Sequence, residues 1–410
     1  MSQELPFEPS GVATKLIDAD AHITEPWDLW TERMSKDRWG DLVPAVKWDR
    51  DDNRQGWYIG DVRLADLGFS TMFRGPDDKP ERLAEISDDI RGTGTRAFYP
   101  KSFEEMHPSS WDPRERVRVM TEWGIDAACL FPNLLLFNSR VLEAAGTDAL
   151  EFSNDMMRAY NDFILDFSQA VPGHIIPLAC LPYWDITASV KEAERCAEAG
   201  HRGLVMSGYP QIHGAPYLAD PHWEQLWSAA DSASMPIHFH AGSGDNSAHA
   251  NDERAQLEGS AVAAARGATE ILLSNAVPIC DLLASGILPR HPNLKFVSVE
   301  SGVGWIPFAL ESLDSHFHRY DVRSHRAEFN LLPSEYFRRQ IYTTVWFEKL
   351  TPFYIDRVGV DNIMFETDYP HPTCLIEDEI EAAIKHSLGD LDGDLRERIL
   401  WKNAAELYRL

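Results

Sequence analysis

The stretch Lys15–His22 reads K-L-I-D-A-D-A-H and carries three metal-capable side chains at alternate positions of a β-compatible run. Because successive side chains of a strand point to opposite faces, Asp18, Asp20 and His22 are predicted to share one face. Burying two carboxylates and an imidazole without partners is costly, so an inward-facing set of this kind indicates a divalent cation. The alternative is an edge strand whose polar residues face water.

Downstream of this strand, apolar runs alternate with helical stretches along the chain. With the first, they make eight predicted strands: Lys15–His22, Ile125–Pro132, Ile175–Leu181, Gly203–Ser207, Pro236–His240, Leu294–Ser301, Ile341–Phe347 and Asn362–Asp368. Alternation of this kind implies parallel strands joined by right-handed crossovers, and eight repeats is the number that closes a TIM barrel. The sequence therefore predicts an α/β fold, a (β/α)8 TIM barrel, as a single domain over residues 1–410.

Residues 25–112 are predicted to be a long insertion after the first strand that caps the carboxyl face of the barrel. They lack sustained helical periodicity, are rich in Gly, Pro and Asp, and show a hairpin-like pattern over Ala45–Leu64. The loop Gly242–Gln256, which contains His249, is a second candidate cover. The aromatic residues that either line an apolar mouth or merely cover the surface are Trp27, Trp30, Phe69, Phe73 and Phe98.

The composition limits the classes of function. The chain has 410 residues, is 44% hydrophobic and carries a formal net charge of −27, the wrong sign for binding nucleic acid or an anionic membrane surface. No stretch approaches 18 consecutive apolar residues and no signal-like segment opens the chain, so we expect no membrane association. The five scattered cysteines favour a cytoplasmic protein with these residues reduced in its core.

Four of the eight predicted strands end in residues that bind metals, and TIM-barrel active sites lie at such ends. Besides the first strand, these are strand five (P-I-H-F-H), strand six (V-E-S-G) and strand eight (F-E-T-D). The side chains concerned are His238, His240, Glu300, Glu366, Asp368 and, three residues further on, His371. Chance is a poor explanation for this concentration, because other strands end in sequences such as F-P-N and L-P-Y.

These strand ends resemble the amidohydrolase superfamily, in particular the branch with aminocarboxymuconate-semialdehyde decarboxylase and γ-resorcylate decarboxylase. The motifs that carry the resemblance are D-A-D-A-H, H-F-H-A-G and T-D-Y-P-H-P, with the tail I-L-W-K-N-A-A-E-L-Y. The resemblance implies one divalent metal held by Asp20, His22, His240 and Asp368, with a position open to water or substrate. It also implies a homodimer, the commonest closed assembly.

Two positions depart from the pattern of that branch. Asp20 stands where His or Glu is usual. A carboxylate can still bind zinc, which is expected first, but it makes the site harder and less selective, so manganese is expected second. Glu300 stands where the decarboxylases carry a His that transfers a proton to the substrate. A carboxylate there is a poor proton donor at neutral pH unless burial raises its pKa.

The other metal-capable residues are given supporting roles. Asp18 and Glu366 are predicted to lie a layer below the ligands and to orient them. His238 is the alternative to His240 as a ligand, and otherwise a buried, hydrogen-bonded imidazole. His371 is a further neighbour of the site or an alternative ligand.

Three functions follow from this site. The first is a metal-dependent hydrolase of a small carboxylated or cyclic molecule, in which metal-activated water attacks, Asp368 takes its proton and Glu300 orients it. The second is a non-oxidative decarboxylase of an aromatic or dienoic acid on the same metal site. The third is a non-catalytic metal-binding barrel, which a complete ligand set argues against. The substrate is a small molecule, and the residues that bind it are not identifiable from the sequence.

Overall fold

The structure is a computed structural model that describes residues 15–68, 71–82, 100–135, 149–244 and 252–410. Phe69, Phe98 and His249 lie outside these ranges. The strands of the described residues are β1 (Ile17–Ile23), β2 (Ala45–Asp49), β3 (Arg54–Ile59), β4 (Val62–Asp66), β5 (Phe73–Arg74), β6 (Pro80–Glu81), β7 (Ala127–Pro132), β8 (Ile175–Cys180), β9 (Gly203–Val205), β10 (Ile237–His240), β11 (Phe296–Val299), β12 (Ile341–Val345) and β13 (Ile363–Phe365).

Helices precede, separate and follow the later strands. Those of the described residues are α1 (Leu29–Arg33), α2 (Lys36–Trp39), α3 (Pro113–Glu122), α4 (Ala149–Ala170), α5 (Ile186–Ala199), α6 (Glu224–Ala233), α7 (Asp252–Glu258), α8 (Ser260–Leu272), α9 (Ala276–Ala284), α10 (Ile287–Arg290), α11 (Ile306–Arg319), α12 (Val322–His325), α13 (Pro333–Gln340), α14 (Pro352–Val358), α15 (Asp378–Leu388), α16 (Gly393–Glu397) and α17 (Asn403–Tyr408).

Eight strands form one sheet in the order β1-β7-β8-β9-β10-β11-β12-β13, and every neighbouring pair is parallel. Backbone hydrogen bonds join the two ends of this sheet. The Asp368 N–H donates to the Asp20 carbonyl at 2.9 Å, and the His22 N–H donates to the Tyr369 carbonyl at 2.7 Å. The predicted TIM barrel is confirmed, and each predicted strand overlaps an observed one. We call the junction between β1 and the residues after β13 the seam.

The first strand is an interior strand. All seven residues of β1 are buried, between β7 on one side and the seam on the other. The pairing of β1 with β7 shifts register between Asp18 and Ala21, and irregularities of this kind re-aim side chains near active sites. The alternative of a wet edge strand is therefore excluded.

The described part of the insertion contains a three-stranded antiparallel sheet, β2-β3-β4, and the short pair β5-β6. The hairpin predicted over Ala45–Leu64 is present, and β4 adds a third strand to it. Trp57 of β3 lines a small cavity with Thr24 and Asn133, which follow β1 and β7. The insertion thus lies beside the carboxyl ends of these two barrel strands.

Two aromatic residues of the insertion have different environments. Trp30 is fully buried, packs edge-on against Trp57 and donates its indole N–H to the Met156 carbonyl of α4. It is therefore a core residue, and its predicted place at an apolar mouth is wrong. Trp27 is 46% exposed and packs edge-on against Phe103.

One apolar segment runs through α8 and α9. In the described part of the chain, Ala261–Ala284 is the stretch long and apolar enough to span a membrane, judged by length and composition only. Arg266, Glu270 and Asp281 interrupt the segment, so it is not the run of 18 consecutive apolar residues that the sequence was expected to lack. Arg266 and Glu270 form an ion pair within the segment, and core helices of soluble proteins meet the same criteria.

A buried arginine holds the seam together. Arg116 of α3 is fully buried and donates to the carbonyls of Ser109 (2.7 Å), Tyr369 (3.3 Å) and His22 (2.5 Å). Its guanidinium also lies over the Tyr369 ring, 4.7 Å from the centroid. Burial lowers the pKa of Arg116 to about 10, so it remains a cation at neutral pH. One side chain therefore links α3 to both sides of the seam.

Replacing Arg116 with Met is expected to lower the free energy of unfolding by about 3 kcal/mol or more, because a hydrogen bond from a charged donor contributes about 1.5–3 kcal/mol. Urea unfolding followed by circular dichroism measures this loss. Arg114→Met is the control, since Arg114 lies on the same helix and is exposed, and it should change stability by no more than about 0.5 kcal/mol. Equal midpoints for the two variants would contradict this role for Arg116.

Candidate metal centre

The four predicted ligands come from three strand ends. Asp20 and His22 lie on β1, His240 is the last residue of β10, and Asp368 follows β13. Each is at most 1% exposed. Asp368 has φ +63°, a left-handed conformation that non-glycine residues adopt at a cost and that is frequent at functional sites.

The side-chain atoms of these residues converge. The His22 and His240 Nε2 atoms are 3.0 Å apart, and Asp20 Oδ1 lies 3.6 Å from the first and 3.4 Å from the second. Asp368 Oδ1 lies 3.5 Å from His22 Nε2. Atoms bound to one ion at about 2.0–2.2 Å lie about 3.0–3.6 Å from one another, so these separations fit a shared divalent cation.

The hydrogen bonds around the ligands also fit a cation. Neither oxygen of the buried Asp20 carboxylate accepts a hydrogen bond from a described residue. His240 Nδ1 lies 2.9 Å from the Ala241 carbonyl, and in the tautomer that donates to this carbonyl the lone pair of Nε2 faces His22 and the cluster. Burial, with His371 and His240 nearby, lowers the pKa of His22 well below its ordinary value, so its imidazole is neutral and able to bind a metal.

The raised pKa values of the acidic residues also indicate a cation site. Burial, and then the charges of Asp368 and Glu300, raises the pKa of Asp20 well above its ordinary value. Burial also raises the pKa of Asp368. Among the described residues, the ion-pair partners of these acids are histidines rather than Lys or Arg. A divalent cation would supply the missing positive charge.

His238 lies one layer deeper than His240. Its Nδ1 is 2.9 Å from the Leu204 carbonyl, and its Nε2 is 2.9 Å from the Tyr408 hydroxyl. Both ring nitrogens are therefore engaged away from the cluster. The geometry favours His240 over His238 as a ligand.

Asp18 and Glu366 also lie below the ligands, and Glu366 lies beside the Asp20 carboxylate. Asp18 accepts hydrogen bonds from the N–H of Asp20 (3.2 Å) and from the N–H (2.8 Å) and hydroxyl of Thr367. Glu366 Oε2 accepts from the Glu300 N–H at 3.3 Å. These acids therefore fix the backbone that presents Asp20, Glu300 and the residue before Asp368.

Glu300 faces the cluster, as its position at a strand end predicts. It follows β11 with φ +55°, its side chain is 13% exposed, and its Oε2 lies 3.6 Å from His240 Nδ1. Ligand atoms of Asp20, Glu300 and Asp368 all lie within 4.8 Å of one another. Burial, and then the charge of Asp368, raises the pKa of Glu300 to about 7.

His371 is closer to the cluster than the sequence indicates. Its Nδ1 is 2.7 Å from Asp368 Oδ1, and its ring stacks on that of His22 with centroids 3.8 Å apart. Its Nε2 is 3.1 Å from Oδ1 of Asn133, which follows β7. Asn133 is not among the predicted site residues, because the F-P-N sequence that ends its strand contains no residue typical of a metal site.

A cavity of about 750 Å³ lies at the opposite end of the barrel, where Ile175 begins β8 and Arg202 precedes β9. The substrate of a reaction at the cluster would not reach this cavity. The site of interest is the carboxyl end of the barrel.

A buried cluster of acids and imidazoles at the strand ends of a TIM barrel defines a barrel enzyme with a centre suited to a divalent metal. The sequence model described as Amidohydrolase matches residues 17–410, so the chain belongs to the amidohydrolase family. The resemblance inferred from the strand-end motifs is confirmed.

Relatives in this family include decarboxylases. A γ-resorcylate decarboxylase from Polaromonas sp. (strain JS666) is 26% identical over 324 residues, covering 76% of this chain and 93% of the relative. An amidohydrolase from Mycobacterium avium subsp. paratuberculosis has a structure with a TM-score of 0.73 and 22% identity, covering 97% and 100% of the two chains.

A third comparison concerns the metal. A 5-carboxyvanillate decarboxylase from Novosphingobium aromaticivorans, solved as a mutant, has bound manganese and 3-methoxy-4-hydroxy-5-nitrobenzoic acid. Its TM-score is 0.64 at 19% identity, covering 97% of this chain and 98% of that one. The relatives support the decarboxylase alternative over the hydrolase that the sequence put first.

Proposed function

We propose that this enzyme is a metal-dependent, non-oxidative decarboxylase of a small aromatic or dienoic acid. The observation that carries the proposal is the similarity to γ-resorcylate decarboxylase over 76% of the chain, combined with a buried ligand cluster at the matching strand ends. The main prediction from sequence, hydrolysis, becomes the second candidate.

We propose that Asp20, His22, His240 and Asp368 bind the metal. Manganese becomes the first choice, because two of the four ligands are carboxylates and a related decarboxylase contains manganese. Such an ion would hold the substrate carboxylate and an adjacent oxygen and withdraw negative charge from them.

The proposed proton source is the pair formed by His371 and Asp368. The Asn133 amide nitrogen donates to the Thr24 hydroxyl at 3.4 Å, which turns its oxygen towards His371 Nε2. His371 Nε2 therefore carries a proton, and Nδ1 lies 2.7 Å from Asp368 Oδ1. We propose that this pair takes up a second proton from solvent, because the nearby Asp368 carboxylate favours the protonated imidazole.

In the proposed reaction, the substrate carbon that bears the carboxylate takes this second proton. The bond between that carbon and the carboxylate then breaks, its electron pair stays on the substrate, and carbon dioxide leaves. A proton from solvent restores the pair. Substrate acid and proton thus become product and carbon dioxide, with no oxidant or reductant consumed.

The test is a carbon dioxide release assay with the manganese-loaded protein over a panel of hydroxybenzoic and dienoic acids. One acid is expected to yield equal amounts of carbon dioxide and decarboxylated product. In D₂O, the product should carry one deuterium at the carbon that bore the carboxylate, seen by NMR. Cleavage of esters or amides in the same preparation, without carbon dioxide release from any acid, would contradict the proposal.

The second candidate, a hydrolase, is favoured by Glu300, which occupies the position of the proton-transferring His of the decarboxylases. Its carboxylate is close enough to the predicted ligands to orient a water molecule. Glu300→His separates the two candidates, since it should preserve or raise decarboxylation but impair hydrolysis. A Glu300→His enzyme that loses its decarboxylation would favour an essential role for the carboxylate itself.

A further inference from the structure

Glu25, which follows β1, is a buried acid outside the proposed ligand set. It is 1% exposed, and burial raises its pKa to about 7. In the part of the chain that the structure describes, no Lys, Arg or His side chain forms an ion pair with it. The cavity beside it has a volume of about 10 Å³, about the room that one water molecule needs. A carboxylate in such surroundings is costly unless hydrogen-bond donors hold it.

The donors that hold Glu25 are backbone N–H groups of the loop after β7. The Leu134 N–H donates to Oε1 at 2.8 Å, and the N–H groups of Asn133 and Leu135 also face the carboxylate and favour its charged form. A carboxylate carries acceptors only, so it can face several N–H groups at once, whereas a Gln side chain would set its own NH₂ against one of them. Glu25 therefore fixes this loop relative to β1.

The loop in turn holds the imidazole of His371. Asn133 Oδ1 lies 3.1 Å from His371 Nε2, and His371 Nδ1 lies 2.7 Å from Asp368 Oδ1. Contacts thus run from Glu25 through Asn133 to His371 and Asp368. Because Nε2 holds its proton towards Asn133, Nδ1 is left as the ring atom that exchanges a proton.

We propose that Glu25 is a positioning residue, which holds the loop after β7 so that Asn133 keeps the proton of His371 on Nε2. The inference rests on the proposed function, because it concerns the imidazole of the proposed proton-transfer pair. Without Glu25, the N–H groups of the loop lose their acceptor and the Asn133 side chain moves. A neutral His371 ring then carries its single proton on Nδ1, facing the Asp368 carboxylate.

The test is nitrogen NMR of the histidine rings in ¹⁵N-histidine-labelled protein loaded with Zn²⁺, a d¹⁰ ion that does not broaden the spectra. The His371 signals are those that His371→Asn removes. Wild-type protein is expected to carry a proton on His371 Nε2, and Glu25→Leu to carry it on Nδ1 instead. Glu25→Gln, which keeps one acceptor oxygen, should show a mixture of the two tautomers. A proton retained fully on Nε2 in both variants would overturn the proposal.

Glu348→Gln is the matched control. Glu348 also accepts from backbone N–H groups of a loop that follows a barrel strand, those of Val303 at 2.9 Å and Gly304 at 2.7 Å. The control should therefore lose similar stability but keep the wild-type tautomer of His371. Loss of the Nε2 proton in Glu348→Gln would mean that any loosened loop has this effect, and would overturn the specific role of Glu25.

Turnover separates this proposal from the proposed function, since the tautomer test needs no substrate. Glu25→Gln is expected to release carbon dioxide about tenfold more slowly or worse, a part of the about 10²–10⁴-fold that a proton-transfer group contributes. Metal content and KM should stay unchanged. An altered tautomer with undiminished carbon dioxide release would support positioning by Glu25 and contradict the role of His371 in decarboxylation.

Discussion

Replacing His240 with Ala is expected to remove the metal and the activity together while leaving the barrel folded. His240 Nε2 lies 3.0 Å from His22 Nε2 and 3.4 Å from Asp20 Oδ1, so the variant lacks one of the four proposed ligands. Affinity for the metal should fall by more than about 100-fold, because even residues that only support the ligands contribute about 10–100-fold. Elemental analysis after dialysis measures the metal, and carbon dioxide release measures the activity.

His238→Gln is the matched comparison for this result. The two histidines are two residues apart on β10, but both ring nitrogens of His238 are engaged by Leu204 and Tyr408. The variant should therefore keep its metal even if it is less stable, and circular dichroism separates a folding defect from metal loss. Full metal content in His240→Ala, with metal loss in His238→Gln, would transfer the ligand assignment to His238.

Replacing His371 with Asn is expected to reduce decarboxylation by about 10²–10⁴-fold, the usual contribution of a positioned proton-transfer group. The variant lacks the imidazole whose Nδ1 lies 2.7 Å from Asp368 Oδ1. Metal content should stay unchanged, since four other residues are proposed to bind the metal. Steady-state turnover and elemental analysis of the same preparation give both quantities.

Thr373→Val provides the control for His371→Asn. Thr373 donates its hydroxyl to Asp368 Oδ2 at 3.1 Å, so the two variants each remove one contact to the same carboxylate. This bond takes no part in the proposed proton transfer, so turnover should fall less in Thr373→Val than in His371→Asn. Equal losses in the two variants would mean that His371 only positions Asp368. Metal loss in His371→Asn would identify it as a ligand.

The barrel was predictable because each of its strands is a short apolar run separated from the next by a helix. Because strands and helices alternate along the chain, the order of the strands in the sheet follows from the sequence. The metal-capable residues at the strand ends then indicate that Asp20, His240 and Asp368 lie close together. Glu300 was placed correctly for the same reason, since it directly follows a strand.

Contacts set by loops and by the insertion were not predictable. Asn133 is an ordinary loop residue in the sequence, and its contact with His371 spans 238 positions along the chain. Arg116 has the pattern of a helix-surface residue, yet its bonds go to three backbone carbonyls. Trp30 was misplaced because its neighbours in α4 are far away in sequence. Periodicity carries no information on such long-range partners.

The seam has a consequence for the order of events during synthesis. Asp20 and His22 emerge early from the ribosome, whereas Asp368 and Tyr369, which bond to them across the seam, are made after most of the chain. Contacts between such distant residues form late in folding. The nascent chain therefore cannot assemble the proposed metal site until its eighth barrel strand is released, and metal uptake is expected to follow closure of the barrel.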